Sequence, residues 1–255
     1  MPPARATAPI VTPADGLVAG SVEVPVKGGT LPAYRAMPAT GTAFPVILVV
    51  QEIFGVNEHV QDICRRFAQL GYFAIAAELY ARQGDPRKVT DIPQLIESIV
   101  KKVPDAQVMS DLDATVAYAK SSGRADVARL GITGFCWGGR IVLMYAAHNP
   151  HLKAAVAWYG PTARPYHPTD KTAIEVAGHV KAATLGLYGG ADHGIPVDTV
   201  ETAFAAIRAG GNRHAEYHVY PDTPHAFFAD YRPGYTKAAA EDGWQRAVTW
   251  FGRYL

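Results

Sequence analysis

Short apolar runs recur along the chain, and each is followed by a longer segment in which apolar residues return every three or four positions. The runs are continuously apolar, which is typical of strands covered on both faces of a sheet. Strand followed by helix, repeated, predicts the α/β class with a mostly parallel sheet and helices on both faces. The predicted strands are residues 45–50, 72–79, 130–135, 154–159, 184–188 and 216–220. The predicted helices are residues 58–70, 92–102, 105–121, 139–148, 197–209 and 237–254.

An earlier pair of segments, residues 20–26 and 31–37, is joined by Gly28 and Gly29 and predicts a β-hairpin at the N-terminal edge of the sheet. The length would tolerate two domains, but one α/β sheet often reaches about 250 residues. Because no linker or repeat divides the chain, we predict a single domain over residues 1–255, with residues 1–19 as an extended N-terminal segment. In such sheets the reactive groups lie beyond the carboxyl ends of the strands.

The composition narrows the class of protein and of partner. A chain that is 49% apolar and 18% charged can bury a large core, as ordinary globular proteins do. The net charge is +1 and the basic residues are dispersed, so we expect no nucleic acid partner. The longest apolar runs fall far short of the roughly 20 residues that a membrane helix needs, so we expect no membrane partner. A monomer or a small homo-oligomer is the remaining expectation.

The N-terminal sequence and the number of cysteines indicate in which cellular compartment the protein is expected. The first residues, MPPARATAPIVTPADG, are rich in proline and alanine and lack the apolar segment of a secretory signal, so the expected location is the cytoplasm. Such a segment also resembles a mature end, and removal of an export signal upstream of Met1 stays an alternative. Two cysteines are too few for a disulfide framework, so reduced thiols are expected.

Cys136 is the first candidate for chemistry, since it stands at a bend between a predicted strand and a predicted helix. Gly134, Gly138 and Gly139 around it permit the sharp turn of the G-x-S-x-G nucleophile elbow, with cysteine in the place of serine. The N-terminus of a helix beside the thiol would favour a thiolate and, later, an oxyanion. The alternative is a small buried core residue, which is the usual state of a free cysteine.

Two later strand ends supply an acid and a histidine, in the order nucleophile, acid, histidine that enzymes with this elbow use. Asp192 follows the strand at 184–188, and His225 follows the strand at 216–220. The histidine would take the thiol proton while the aspartate fixes its tautomer. The alternatives are a turn or capping role for Asp192 and a surface loop position for His225. His193 is the weaker candidate base, because adjacent residues in a turn point their side chains apart.

Glu52 ends the strand at 45–50 and is expected to face the same cleft, either near the nucleophile or as a cap of a helix or turn. The backbone N–H groups of Ile53 and Trp137 are the predicted oxyanion hole. The histidines follow no metal-ligand spacing, so we predict no metal site.

Five motifs resemble the dienelactone hydrolase family of the α/β-hydrolase fold: QEIFGVN, ELYARQ, GFCWGG, YGGADHGIP and TPHAFF, in this order. The resemblance covers essentially the whole chain after residue 20. It implies a triad of Cys136, Asp192 and His225, with Glu52 helping to deprotonate the thiol when substrate binds. It also implies hydrolysis of a small-molecule lactone or ester through an acyl-enzyme, without a cofactor. The family's founding substrate is an unsaturated five-membered ring ester that carries a carboxylate.

The resemblance also bears on how the substrate would be held. Arg82, in LYARQ, matches the arginine that binds the substrate carboxylate, for which a planar guanidinium is suited. The family's second such arginine falls at Ala229, and Arg232 is close in sequence but out of register. We therefore expect weak activity on the carboxylated ring and comparable or better activity on neutral lactones or aryl esters.

Several aromatic residues fit a less charged acyl pocket, although core packing is the alternative for each. They are Trp137, Trp158, Tyr159 and Phe227. The alternative functions are a carboxylesterase or thioesterase on another acyl substrate, and a non-catalytic ligand-binding module on the same fold. The triad, Glu52 and the elbow glycines favour an enzyme, because a binding module needs none of them.

Overall fold

An eight-stranded sheet forms the centre of the computed structural model, which describes residues 9–255 and leaves residues 1–8 outside the description. The strands are β1 (Leu17–Val26), β2 (Gly29–Pro38), β3 (Phe44–Val50), β4 (Phe73–Ala77), β5 (Ala125–Phe135), β6 (Ala154–Trp158), β7 (Ala183–Gly189) and β8 (Ala215–Tyr220). Their order across the sheet is β1-β2-β4-β3-β5-β6-β7-β8. β2 pairs antiparallel with β1 and with β4, and the other neighbours are parallel. The predicted α/β class, the mostly parallel sheet and the edge hairpin are confirmed.

Helices cover both faces of the sheet. They are α1 (Glu58–Gln69), α2 (Ile92–Ser98), α3 (Asp105–Ser121), α4 (Trp137–His148), α5 (Ala173–Val176), α6 (Val197–Ala209) and α7 (Lys237–Tyr254). α1 and α7 pack together through Phe67, whose ring meets those of Trp244 and Phe251. α4 contacts α3 and α5, and α5 contacts α6, so α3 to α6 form the other layer. No helix in the described part of the chain is both long enough and apolar enough to cross a bilayer.

The burial of the strands explains the apolar pattern of the sequence. β4, β6 and β7 are buried along their whole length, and β3 is buried from Val46 onward. Strands with helices on both faces have no solvent side, so both sets of alternating positions are apolar. β1, at one edge, is mostly half-exposed or exposed.

The N-terminal hairpin differs in detail from the prediction. Its turn consists of Lys27 and Gly28, because Val26 already pairs with Gly29. Gly28 takes the positive φ, 88°, that a two-residue hairpin turn requires. β1 begins at Leu17, so the last three residues of the predicted extended segment belong to the sheet. The start of that segment, residues 1–8, lies outside the described residues.

Three predicted helices also have different bounds. The helix predicted at 58–70 ends one residue earlier, at Gln69. The helix predicted at 92–102 ends at Ser98, because Ile99 (φ −123°, ψ −63°) leaves the helical region, and a 3-10 turn follows at Val100–Lys102. The helix predicted to begin at Gly139 begins at Trp137, directly after Cys136. The thiol therefore sits at the N-terminus of α4, where the backbone N–H groups have no partner within the helix.

Candidate active site

The backbone at Cys136 is strained, with φ 54° and ψ −118°. A positive φ is rare for a residue with a side chain, and it persists only where the surroundings hold it. Three hydrogen bonds do so: the Cys136 N–H donates to the carbonyl of Trp158 (3.0 Å), and the N–H groups of Gly139 and Arg140 donate to the carbonyl of Cys136 (2.9 and 3.3 Å). The side chain is 8% exposed. This sharp strand-to-helix turn has the form of a nucleophile elbow.

The glycines around Cys136 allow backbone segments to touch. A Cβ on Gly134 would lie 2.5 Å from the carbonyl oxygen of Gly138, and one on Gly138 would lie 2.4 Å from that of Gln51. A Cβ on Gly139 would lie 2.4 Å from the carbonyl oxygen of Trp158. No real side chain fits at such distances, so the elbow requires glycine at all three positions. The contact between Gly138 and Gln51 also brings the loop after β3 against the start of α4.

The structure brings Cys136, His225 and Asp192 together from three strand ends. Nδ1 of His225 lies 2.6 Å from Oδ2 of Asp192, whose side chain is 4% exposed. The other oxygen of Asp192 accepts from the Gly194 N–H (2.9 Å). Cys136 is also among the causes that raise the pKa of His225. His193, by contrast, is exposed.

The protonation of His225 follows from these contacts. Burial by itself would lower the pKa of the imidazole, but the hydrogen bond to Asp192 and the interaction with Cys136 outweigh it and raise the pKa to about 10. At neutral pH the ring therefore favours its charged form.

Glu52 lies in the loop after β3 and is 1% exposed. Its Oε2 accepts a hydrogen bond of 2.5 Å from the hydroxyl of Tyr231, while Oε1 has no partner within residues 9–255. Burial raises the pKa of Tyr159, and the charges of Glu52, Tyr231 and Cys136 raise it further. The Tyr159 ring stands edge-on to His225, with ring centres 5.1 Å apart. The loop that carries Glu52 touches the elbow, since a Cβ on Gly138 would lie 2.4 Å from the carbonyl oxygen of Gln51.

The two backbone N–H groups predicted for an oxyanion hole lie at the expected ends of their elements. Trp137 is the first residue of α4, and Ile53 is a buried residue of the loop between β3 and α1. Among the backbone hydrogen bonds of turns, loops and caps in residues 9–255, none is donated by the N–H of Trp137 or Ile53.

Arg82, which is predicted to bind a substrate carboxylate, is paired with an acidic residue of the protein. Its Nη1 and Nη2 donate to the two carboxylate oxygens of Asp111 on α3, at 2.6 and 2.7 Å. Asp111 is 2% exposed, and its hydrogen bonds raise the pKa of Arg82. The guanidinium fork is therefore used inside the protein. Ala229 is fully buried, and the guanidinium carbon of Arg232 lies 5.2 Å from the centre of the Phe54 ring.

Two of the aromatic residues predicted to line the acyl pocket are core residues. The indole N–H of Trp158 donates to Oγ1 of Thr133 (3.1 Å), and its ring packs on Phe228, 4.4 Å away between centres. Phe227 is fully buried against Trp158, Tyr159 and other rings. Both side chains are enclosed by protein, and their role in an acyl pocket stays a prediction. The Trp137 ring likewise packs against Tyr80, at 4.7 Å.

Sequence reasoning missed three tyrosines of the site. Tyr80 is fully buried and Tyr166 nearly so, and for each the pKa is raised by burial and then by the charge of Cys136. Tyr231 holds Glu52, as described above. Tyr80 could have been found, since it stands in ELYARQ at the end of β4. Nothing in the local sequence marks Tyr166 or Tyr231.

Other reactive groups lie apart from this site. Cys64 is fully buried on α1, and burial raises the pKa of its thiol far above the ordinary value. Both features make it an inert core residue. Within residues 9–255 no group of three or more His, Cys, Asp or Glu side chains is arranged to hold a metal ion.

Comparison with known sequences identifies the family. The model of the "Dienelactone hydrolase family" matches residues 31–255. A protein of Methylorubrum extorquens, named "Putative carboxymethylenebutenolidase", is 58% identical over 253 residues, which cover 99% of this chain and 87% of that protein. A protein of Escherichia coli with the same name is 54% identical over 247 residues, or 96% of this chain and 90% of that one.

Solved structures agree with this result. A crystal structure from Klebsiella pneumoniae, described as a "Putative Dienelactone Hydrolase", superposes with a TM-score of 0.90 at 52% identity and covers 93% of this chain and 99% of that one. A dienelactone hydrolase-like promiscuous phosphotriesterase from metagenomic libraries, at 21% identity and a TM-score of 0.77, shares the fold and covers 94% and 99% of the two chains. The chain is therefore a hydrolase that belongs to the dienelactone hydrolase family of the α/β-hydrolase superfamily.

Proposed function

We propose that this protein is a cysteine-dependent hydrolase that opens a lactone or cleaves an ester through an acyl-enzyme on Cys136. The observation that carries the proposal is the strained elbow at Cys136, together with a histidine that Asp192 holds at 2.6 Å and whose pKa Cys136 helps to raise. Such an arrangement of nucleophile, base and orienting acid is how weak nucleophiles are activated.

In the first half of the reaction Cys136 attacks the acyl carbonyl carbon as a thiolate, while His225 holds the proton. A tetrahedral intermediate forms, and its C–O bond to the alkoxide breaks while His225 returns the proton to that oxygen. In a lactone the alcohol stays attached to the acyl group as the ring opens. Asp192 stabilises the imidazolium throughout, consistent with the raised pKa of His225.

In the second half water attacks the thioester, His225 takes a proton from the water, and the carbon–sulfur bond breaks. The thiolate leaves, and the carboxylic acid product and the resting enzyme are formed. The N–H groups of Trp137 and Ile53 are proposed to stabilise the oxyanion of both tetrahedral intermediates. Support for this role is the close approach of the loop after β3 to the start of α4, at Gln51 and Gly138.

The substrate is proposed to be a small lactone or ester whose acyl group needs no strong anion receptor. Arg82 is engaged by Asp111 and Ala229 carries no charge, so neither position offers a free guanidinium. A missing charge-assisted hydrogen bond is worth roughly 1.5 to 3 kcal/mol, or about ten- to a hundredfold in affinity. Values of kcat/KM for a neutral lactone, an aryl ester, a thioester and a carboxylated lactone would rank the candidate substrates.

The nucleophile is tested by Cys136→Ala, with Cys64→Ala as the matched control. Cys136→Ala is expected to fold and to lose on the order of 10³-fold or more in kcat. After mixing with a slowly deacylated aryl ester, intact-protein mass spectrometry should detect the added acyl group on the wild type and on Cys64→Ala. An acyl adduct or near wild-type turnover in folded Cys136→Ala protein would remove the proposal.

A further inference from the structure

The hydroxyl of Tyr231 acts as a hydrogen-bond donor to the buried carboxylate of Glu52. The hydroxyl donates to Oε2 of Glu52 at 2.5 Å. A phenol carries one proton and can donate only one hydrogen bond. The one proton of the Tyr231 hydroxyl goes to Glu52.

Tyr231 keeps this proton over the pH range in which an enzyme works, because its pKa is raised. Burial raises the pKa of Tyr231, and the negative charge of Glu52 raises it further. A phenol in this environment stays neutral and acts as a donor to the carboxylate. Hydrogen bonds from a donor to a charged acceptor are among the stronger ones in proteins.

The ring of Tyr231 is held from two sides. His59 lies 5.3 Å away between ring centres, and Phe54 stands edge-on at 6.5 Å. The preceding residue, Asp230, is anchored by Nδ1 of His59 (2.8 Å) and by the N–H of Ile10 (2.7 Å). The position of the hydroxyl is thus set by packing as well as by its hydrogen bond.

Because Tyr231 occupies Oε2, the unused acceptor of Glu52 is Oε1. This oxygen is buried and has no partner in the described part of the chain. An unpaired carboxylate oxygen in a buried site is costly, so it is a strong acceptor for any proton donor that comes within reach. Gly138, two residues after Cys136, touches the carbonyl of Gln51, the residue before Glu52, and this contact places the acceptor in the surroundings of the thiol.

We propose that Tyr231 is a positioning residue of the hydrolysis, which holds Oε2 of Glu52 so that Oε1 stays directed to the thiol chemistry. This inference rests on the proposed function, since it needs Cys136 as the nucleophile. Tyr231 touches neither substrate nor thiol in this scheme and acts only through Glu52. The other titratable or charged groups around the pair are Cys136, Tyr159, Arg232, His59 and Asp230.

The variant Tyr231→Phe keeps the ring and removes only the hydroxyl. We expect kcat/KM to fall about tenfold or more, the size of one hydrogen bond to a charged group. The acid limb of the pH profile of kcat/KM should move to higher pH, because the ionised carboxylate has lost its donor and is more easily protonated. Tyr235→Phe, on the same segment, is the matched control and should retain the wild-type rate and profile.

A double-mutant cycle with Glu52→Gln separates positioning from a structural role. Within the Glu52→Gln background, adding Tyr231→Phe should change kcat/KM by less than about threefold, because the two residues act as one unit. Equal losses in both backgrounds, or a wild-type pH profile in Tyr231→Phe, would overturn the inference. Melting temperatures of all variants should stay close to that of the wild type, and a loss of activity explained by unfolding would also count against it.

The Cys136→Ala variant, measured in the same assay, keeps this test distinct from that of the proposed function. If Cys136→Ala is inactive and Tyr231→Phe behaves like the wild type, only the role of Tyr231 fails. If Cys136→Ala remains active, the nucleophile assignment fails first, whatever the behaviour of Tyr231. Alkylation of Cys136 by iodoacetamide across the pH range offers a readout without turnover, and its profile should shift in Tyr231→Phe.

Discussion

Oδ2 of Asp192 lies 2.6 Å from Nδ1 of His225, although 33 positions separate the two residues in the chain. The contact joins the loops that follow β7 and β8, which are neighbouring parallel strands. With Nδ1 committed to the carboxylate, the remaining ring nitrogen is the one available to Cys136. The direction of the imidazole is thus decided by a carboxylate from the adjacent strand.

Replacement of His225 by alanine should lower kcat on the order of 10³-fold or more, about as much as Cys136→Ala, since the two act as a unit. His193→Ala is the matched control, because that ring is exposed and next to the same aspartate. It should stay within a few-fold of wild type. Steady-state kinetics of the three variants would decide the matter, and an inactive His193→Ala beside an active His225→Ala would contradict the assignment of base and acid together.

Replacement of Asp192 by asparagine should change how stability depends on pH. The pKa of His225 is raised to about 10 in the folded protein, above its ordinary value of 6.5, so folding strengthens proton binding. The stability from this group is fully present below about pH 6.5 and is lost as pH rises toward 10. Without the carboxylate the folded pKa falls, and the loss between these limits should shrink. Urea unfolding at several pH values gives the unfolding free energy of both proteins. The same dependence of that free energy on pH in the two proteins would contradict the prediction.

The elbow should not tolerate a side chain at Gly138. A Cβ there would lie 2.4 Å from the carbonyl oxygen of Gln51 and 2.6 Å from that of Val50, both backbone atoms that cannot swing aside. Displacing the elbow or the loop after β3 by about 1 Å should cost on the order of 10²-fold in kcat. Gly178→Ala is the control, since no atom lies within 4 Å of its added Cβ. Kinetics and melting curves of both variants test this; an active, stable Gly138→Ala would contradict the geometry.

Arg82→Ala is expected to act on stability before it acts on specificity. It leaves the carboxylate of Asp111, only 2% exposed, without its two hydrogen bonds, which should cost about 1 to 3 kcal/mol of unfolding free energy. Values of kcat/KM for neutral and carboxylated esters should fall by similar factors. A selective loss of tenfold or more on the carboxylated ester, with stability unchanged, would restore Arg82 as a carboxylate receptor.

Local sequence was sufficient for most of the elements and for the elbow at Cys136. Continuous apolar runs predict buried strands because both faces of the sheet are covered, and the three predicted helices at 105–121, 197–209 and 237–254 have the observed bounds. Glycines at 134, 138 and 139 indicate the elbow because no other residue permits such close backbone contacts. These features depend on residues that are neighbours in the chain.

The tertiary structure alone decided which side chains meet and which remain free. Arg82 looks like a substrate receptor from its motif, but α3 presents Asp111 to it, and Trp158 looks like a pocket residue until Thr133 and Phe228 enclose it. The bond between Tyr231 and Glu52 spans 179 positions. The local pattern of apolar and polar residues determines the secondary structure of a segment and which of its residues are buried. The partner of a polar group depends on the packing of distant segments, which no local sequence pattern contains.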